Sequence, residues 1–101
     1  MMRYLVSRHS GTLEWFARRG LPVDEVITHF DPQTLRPGDE VIGILPIQLA
    51  AAVCAKGGRY FHLEMNVPLE WRGKELSAEQ LDAFGAKLVE YTVHKAALLS
   101  H

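Results

Sequence analysis

Arg3-Tyr4-Leu5-Val6-Ser7 opens the chain as a short segment rich in Tyr, Leu and Val, the pattern of a β-strand. The apolar spacing then lengthens to the helical period, with Leu13, Phe16 and Ala17 recurring through Arg18-Arg19. Ser10-Gly11-Thr12 offers an N-cap for that helix, and Gly20 with Pro22 stops it, with cations over the last turn. Val23 to His29 reads as a second strand. Asp31-Pro32 and Pro37-Gly38-Asp39 bracket a turn-rich connection. Glu40 to Leu45 is nearly continuous in apolar residues, as expected of a central strand buried on both faces. Pro46 suits the first turn of a helix carrying Leu49, Ala50 and Val53 on one stripe and ending at Gly57-Gly58. Arg59 to Met65 alternates, with Tyr60, His62 and Glu64 on one face and Phe61, Leu63 and Met65 on the other.

The last third is less regular. Val67 to Lys74, with Pro68, Trp71 and Gly73, reads as a long surface loop. Ser77-Ala78-Glu79-Gln80 is a capping box opening a short helix with Leu81 and Phe84. Lys87 to Val93 fits either an extension of that helix or a strand. The alternation of Val89, Tyr91 and Val93, with Thr92, favours the strand. The order strand, helix, strand, strand, helix, strand, helix, strand predicts an α/β class: a small Rossmann-like domain over residues 1–101, with a mostly parallel sheet flanked by helices.

Composition narrows the classes. An apolar fraction of 48% with 23% charged residues excludes a disordered chain. A formal net charge of -1 excludes a global field that would hold long DNA or RNA, so an anionic ligand must be small and locally held. Cys54 stands alone, which excludes an internal disulfide or a Cys-based zinc site and fits a reducing compartment. The N-terminal segment turns polar at Ser7, too early for a signal-peptide core, and no apolar run approaches the roughly 20 residues that span a membrane. The expectation is a cytoplasmic protein without membrane attachment, metal or cofactor.

Ligands of open α/β sheets gather outside the carboxyl ends of the strands. Four segments fall there: Ser7-Arg8-His9-Ser10-Gly11, His29-Phe30-Asp31, Ile44-Leu45-Pro46-Ile47-Gln48 and His62-Leu63-Glu64. In the first, Gly11 permits close backbone approach and the amides of the first helical turn favour an anion. Ser7, Ser10 and Thr12 add hydroxyls, Arg8 a planar fork for phosphate, and His9 the segment's neutral-pH acid or base. By residue type alone the same segment is equally a capped helix start with a solvated Arg and an incidental His. Its place after the first strand favours function. It is neither a dinucleotide fingerprint nor a Walker loop.

The other segments are weaker. His29 and Asp31 can face one side near a strand end, where a ligand-contacting role ranks second to a satisfied structural pair or an Asp-Pro turn with a nearby His. Leu45, Pro46 and Gln48 join the ligand-contacting set by position. His62 and Glu64 share a strand face without completing a deaminase pattern, and a Glu satisfying His62 or a solvated edge accounts for them. Arg18 and Arg19 most simply complement the C-terminus of their helix. His94 and His101, near the tail, carry no argument.

The same residues resemble a known family. Ser7-Arg8-His9-x-Gly11 with Glu14-Trp15, His29-Phe30-Asp31-Pro32, the run from Pro37-Gly38-Asp39 through Val41-Ile42-Gly43 to Leu45-Pro46, and Tyr60-x-His62-Leu63-Glu64 occur in the order seen in a small CRISPR-associated family of the Csx series, number sixteen in that nomenclature. The resemblance covers nearly the whole chain. It implies a stripped-down CARF-like homodimer of type III CRISPR systems, which binds a cyclic oligoadenylate, the tetra-adenylate, and opens it without metal. On that implication Arg8 stabilises charge at phosphorus, His9 acts as acid or base, and Ser7 or Ser10 orients the ribose. The competing readings are a non-catalytic protein that sequesters the ring, a module whose Trp71 loop contacts a protein, and, more distantly, a metal phosphodiesterase using His29, Asp31, His62 and Glu64.

Overall fold

The strands and helices expected from the apolar periods are present, with shifted bounds, in the computed structural model, which describes residues 1–99; His101 lies outside them. In chain order the elements are β1 (Arg3–Val6), α1 (Ser10–Arg18), β2 (Glu25–Ile27), β3 (Glu40–Gly43), α2 (Ile47–Ala55), β4 (Arg59–Glu64), α3 (Ala78–Ala83) and β5 (Lys87–Tyr91). Short 3-10 turns lie at Pro32–Thr34 and Leu69–Trp71. The strands form one sheet of order β2-β1-β3-β4-β5, parallel except for β5, which runs antiparallel to β4.

The sheet separates two cores. Leu5, Ile42 and Leu63 point to the face covered by α1 and α3, against Trp15, Phe16 and Leu81. Val41 and Tyr60 point to the other face, against Ala50 and Val53 of α2. β3 is central and buried on both sides, with Val41 0% and Ile42 4% exposed, which is why its sequence shows a run instead of an alternation. β2 is shorter than its pattern suggests. It is an edge strand paired only with β1, and the pairing stops where β1 does, at the bond from Ser7 N to Ile27 O.

Arg18 and Arg19 do more than oppose the helix dipole: they tie α1 to α3. Asp82 accepts hydrogen bonds from Trp15 Nε1 (2.8 Å) and Arg19 Nη2 (2.7 Å), while Arg18 reaches Glu14 and Glu79. At the amino ends of the parallel strands, Glu40 is buried between Arg3 and Arg59, and Arg59 continues to Glu90. This ion-pair row crosses four strands on the side away from the carboxyl ends of the parallel strands. Among the described residues no helix is long and apolar enough to cross a membrane.

Asp39 makes folding sensitive to acid. Its buried carboxylate accepts from the amides of Met2 (2.9 Å) and Arg36 (3.0 Å), and these bonds, the Met2 one first, hold its pKa below the ordinary value of 3.8. A group depressed in the folded state stabilises fully above its unfolded pKa and loses that contribution as pH falls through the folded one. Chemical unfolding at pH 7 and pH 3 is therefore expected to show Asp39→Asn less stable at pH 7 and less affected by acidification than the parent. An equal loss in both proteins removes Asp39 from the account.

Candidate functional site

The order β2-β1-β3 places a topological switch point between β1 and β3. The chain leaves β1 toward the α1 face and leaves β3 toward the α2 face, so a crevice opens between the two strand ends. A cavity of about 340 Å³ occupies it, lined by Ser7, Arg8, His9 and Thr12 after β1, Thr28 after β2, and Gly43 and Ile44 at the end of β3. Gly43 lets the strands close at this point: a Cβ there would sit 3.1 Å from Val6 O and 3.3 Å from Val6 Cβ.

The β1–α1 turn is built by its own polar groups. Ser7 Oγ accepts from His9 N (3.2 Å), and His9 O accepts from Thr12 N (3.1 Å) and Leu13 N (3.3 Å). His9 is thus the N-cap of α1, although its side chain makes no capping bond; that place had been assigned to Ser10-Gly11-Thr12. Its imidazole points to the loop before α3, where Nδ1 lies 2.7 Å from Glu75 Oε1. A carboxylate only accepts, so Nδ1 carries the proton and Nε2 of the neutral ring has a free lone pair. Arg8 is exposed and makes no ion pair among the described residues, in contrast to Arg3, Arg18, Arg19 and Arg59.

Gly11 has a different use from the one its sequence position suggests. It faces residues 76 and 77, the turn into α3, where a Cβ would meet Leu76 O at 1.8 Å, so its bare Cα lets that turn close on α1. Ser10 is exposed at the mouth of the helix. The other segments disperse. Asp31 caps the turn Pro32–Thr34, accepting from Gln33 N (3.0 Å), and His29 is exposed outside the crevice lining. Pro46 caps α2 instead of entering its first turn, and Gln48 lies on an apolar groove between α2 and residues 92–95.

Leu45 belongs to a separate polar knot. Tyr60 Oη accepts from Leu45 N (2.9 Å), lies 3.2 Å from Gly43 O and meets His62 Nδ1 at 2.6 Å. With its single proton directed to Gly43 O, the phenol oxygen accepts from both Leu45 N–H and His62 Nδ1–H. Burial lifts the Tyr60 pKa above 10, so it stays a neutral hydroxyl. His62 is therefore satisfied by Tyr60, while Glu64 accepts from Tyr91 Oη. The residues expected to satisfy one another have different partners. Among the described residues no three His, Cys, Asp or Glu side chains gather as a metal site.

This knot holds the β3–α2 turn that presents Ile44 to the crevice. Tyr60→Phe would leave two half-buried donors and a buried acceptor without this partner, a loss of about 1–3 kcal/mol. The denaturation midpoint should fall accordingly, and an unchanged midpoint would mean that water replaces the phenol.

The profile of the family described as "Putative CRISPR-associated protein (Cas_VVA1548)" matches residues 4–94. The chain belongs to that family. No curated protein matches the chain, and no solved structure matches it either. The matched span of this CRISPR-associated protein runs from β1 through β5 and contains the whole crevice lining and Glu75. Sequence reading missed Glu75, Thr28 and the packing role of Gly11. Glu75 is 66 positions from His9, and no local pattern marks it.

Proposed function

We propose that this CRISPR-associated protein binds a cyclic oligoadenylate, taken as the tetra-adenylate, at the β1/β3 crevice and opens it as a ring nuclease. The observation that carries the reading is the pairing of Arg8, which makes no ion pair among the described residues, with a His9 whose tautomer Glu75 sets, both lining one switch-point cavity. The substrate class is what the resemblance to the sixteenth Csx family implies, and membership of a CRISPR-associated family is consistent with it.

The chemistry asks little of the protein beyond placement and charge. A ribose 2′-hydroxyl attacks the adjacent phosphorus, the bond to the 5′-oxygen breaks, and a 2′,3′-cyclic phosphate and a 5′-hydroxyl result. The proton leaving the 2′-oxygen and the one reaching the 5′-oxygen balance, so no water is consumed. His9 Nε2 takes part in that proton transfer, Glu75 stabilises the imidazolium, and Arg8 faces the charge on the phosphorane. Ser7 or Ser10 orients the sugar. A two-fold symmetric ring suits a homodimer in which each subunit presents one such loop.

The exposure of the His9 and Glu75 side chains, 58% and 69%, favours a second reading, a binder that sequesters the ring. That reading uses Arg8 and leaves His9 idle. Incubation of the protein with excess cyclic tetra-adenylate in EDTA, followed by chromatography, separates the two. Multiple-turnover formation of linear product ending in a 2′,3′-cyclic phosphate is expected. Stoichiometric protection of intact ring supports sequestration, and an absence of binding overturns both.

A further inference from the structure

We infer that the β4–α3 loop forms a second nucleotide subsite beside His9, with a base on Trp71 and a phosphate between Arg72 and Lys74. A cavity of about 420 Å³ adjoins the crevice and shares His9, Thr12 and Ile44 with it. Its outer wall is Trp71, Arg72 and Lys74, and its floor is apolar, with Met65, Val67 and Leu81. Each cavity falls in the range of small-molecule sites, roughly 300–1,000 Å³.

Charge distinguishes this groove from the rest of the surface. The linings of the two cavities contain Arg8, His9, Arg72 and Lys74 and no carboxylate, in a chain of net charge -1. Arg72 and Lys74 are exposed and form no ion pair among the described residues. Of the flanking acids, Glu75 is turned to His9 and Glu70 lines neither cavity. The arrangement is one for two successive phosphates, with His9 between them.

The aromatic plane supplies the rest. The Trp71 ring is steadied by Phe84, with centroids 6.0 Å apart, and Lys74 Nζ lies 5.3 Å from its centre. An ammonium over an indole marks a face open to stacking. A base entering there displaces Lys74 toward the phosphate. Stacking on an aromatic side chain is worth roughly 5- to 150-fold in affinity per base. This subsite rests on the crevice reading and extends it from one nucleotide to at least two, which makes the ligand an oligonucleotide rather than a mononucleotide.

Tryptophan emission tests the inference directly, because Trp15 is buried at 2% exposure and bonded to Asp82 whereas Trp71 lines the cavity. The probe is a cyclic tetra-deoxyadenylate, which cannot open for want of 2′-hydroxyls, with calorimetry as an independent measure of binding. Quenching of the wild-type emission is expected, with little in Trp71→Phe. Arg72→Ala should weaken binding roughly 10- to 100-fold with unchanged melting temperature. Calorimetric binding with constant emission and an Arg72→Ala affinity within two-fold would overturn the subsite and leave the crevice reading standing. No heat from wild-type protein with either this ring or cyclic tetra-adenylate would overturn both.

Discussion

Replacing His9 by alanine is expected to lower the rate of ring opening by roughly 10²–10⁴-fold, while the affinity for cyclic tetra-adenylate stays within a few-fold. The split follows from what each side chain does. His9 is bonded to Glu75, and its free Nε2 matters only when a proton moves. An interaction made in the transition state alone appears in kcat and not in binding. On the proposed reading Arg8, which makes no ion pair among the described residues, meets the phosphate in both states, so Arg8→Ala should weaken binding as well as turnover. Glu75→Gln retains an acceptor for Nδ1 but removes the charge beside the imidazolium. Its effect should be smaller than that of His9→Ala and should alter the pH–rate profile. Single-turnover rates with calorimetric affinities decide the matter. Equal rates for His9→Ala and the parent would transfer the proton chemistry elsewhere, while loss of binding in His9→Ala would make His9 a ligand contact.

Gly11→Ala is expected to destabilise the fold by about 3 kcal/mol or more, the upper end of what overpacking costs. The added methyl would lie 1.8 Å from Leu76 O, 2.9 Å from Leu76 C and 3.3 Å from Ser77 C, and a Cβ has no rotamer by which to escape. Two relaxations are open to the chain. If α1 retreats from α3, the bonds from Trp15 and Arg19 to Asp82 weaken and the buried contact of Phe16 and Leu81 opens. If instead residues 76 and 77 shift, Glu75 moves with them and leaves His9. Either path damages the candidate site, so the folded fraction should open cyclic tetra-adenylate more slowly than the parent. Ser10→Ala is the matched control. Ser10 is exposed, the α1 N-cap makes no side-chain bond, and the change should stay within about 0.5 kcal/mol. Urea unfolding of the two variants tests the contrast, and a Gly11→Ala protein as stable as Ser10→Ala would remove the close α1–α3 approach.

The elements were legible in the sequence because each depends on neighbours a few residues apart. The alternation of Tyr60 to Met65 places side chains on opposite faces whatever the rest of the chain does, and the structure puts Tyr60 in one core and Leu63 in the other. Ser77 and Gln80 satisfy one another's backbone amides within a single turn, so their capping box is readable from four letters and is present. Glu40 to Leu45 announced a central strand because a strand covered on both faces has no polar side to show. The position of the Arg8-His9 segment was legible for the same reason: it follows the first strand, and the structure places both residues on the crevice lining at that strand's end.

Tertiary structure decided what depends on distant pairing. Alternation carries no strand direction, so only the assembled sheet made β5 antiparallel to β4. Gly11 looks the same in a sequence whether it admits a ligand or a neighbouring helix; the Leu76 carbonyl, 65 positions later, made it the second. His9 gained Glu75 across 66 positions, and Leu45 gained the phenol of Tyr60 across 15. Such contacts form between side chains whose spacing has no period. The chain's local chemistry determined which groups stand at the carboxyl edge of the sheet. The packing of α3 and its preceding loop against α1 decided which of them meet.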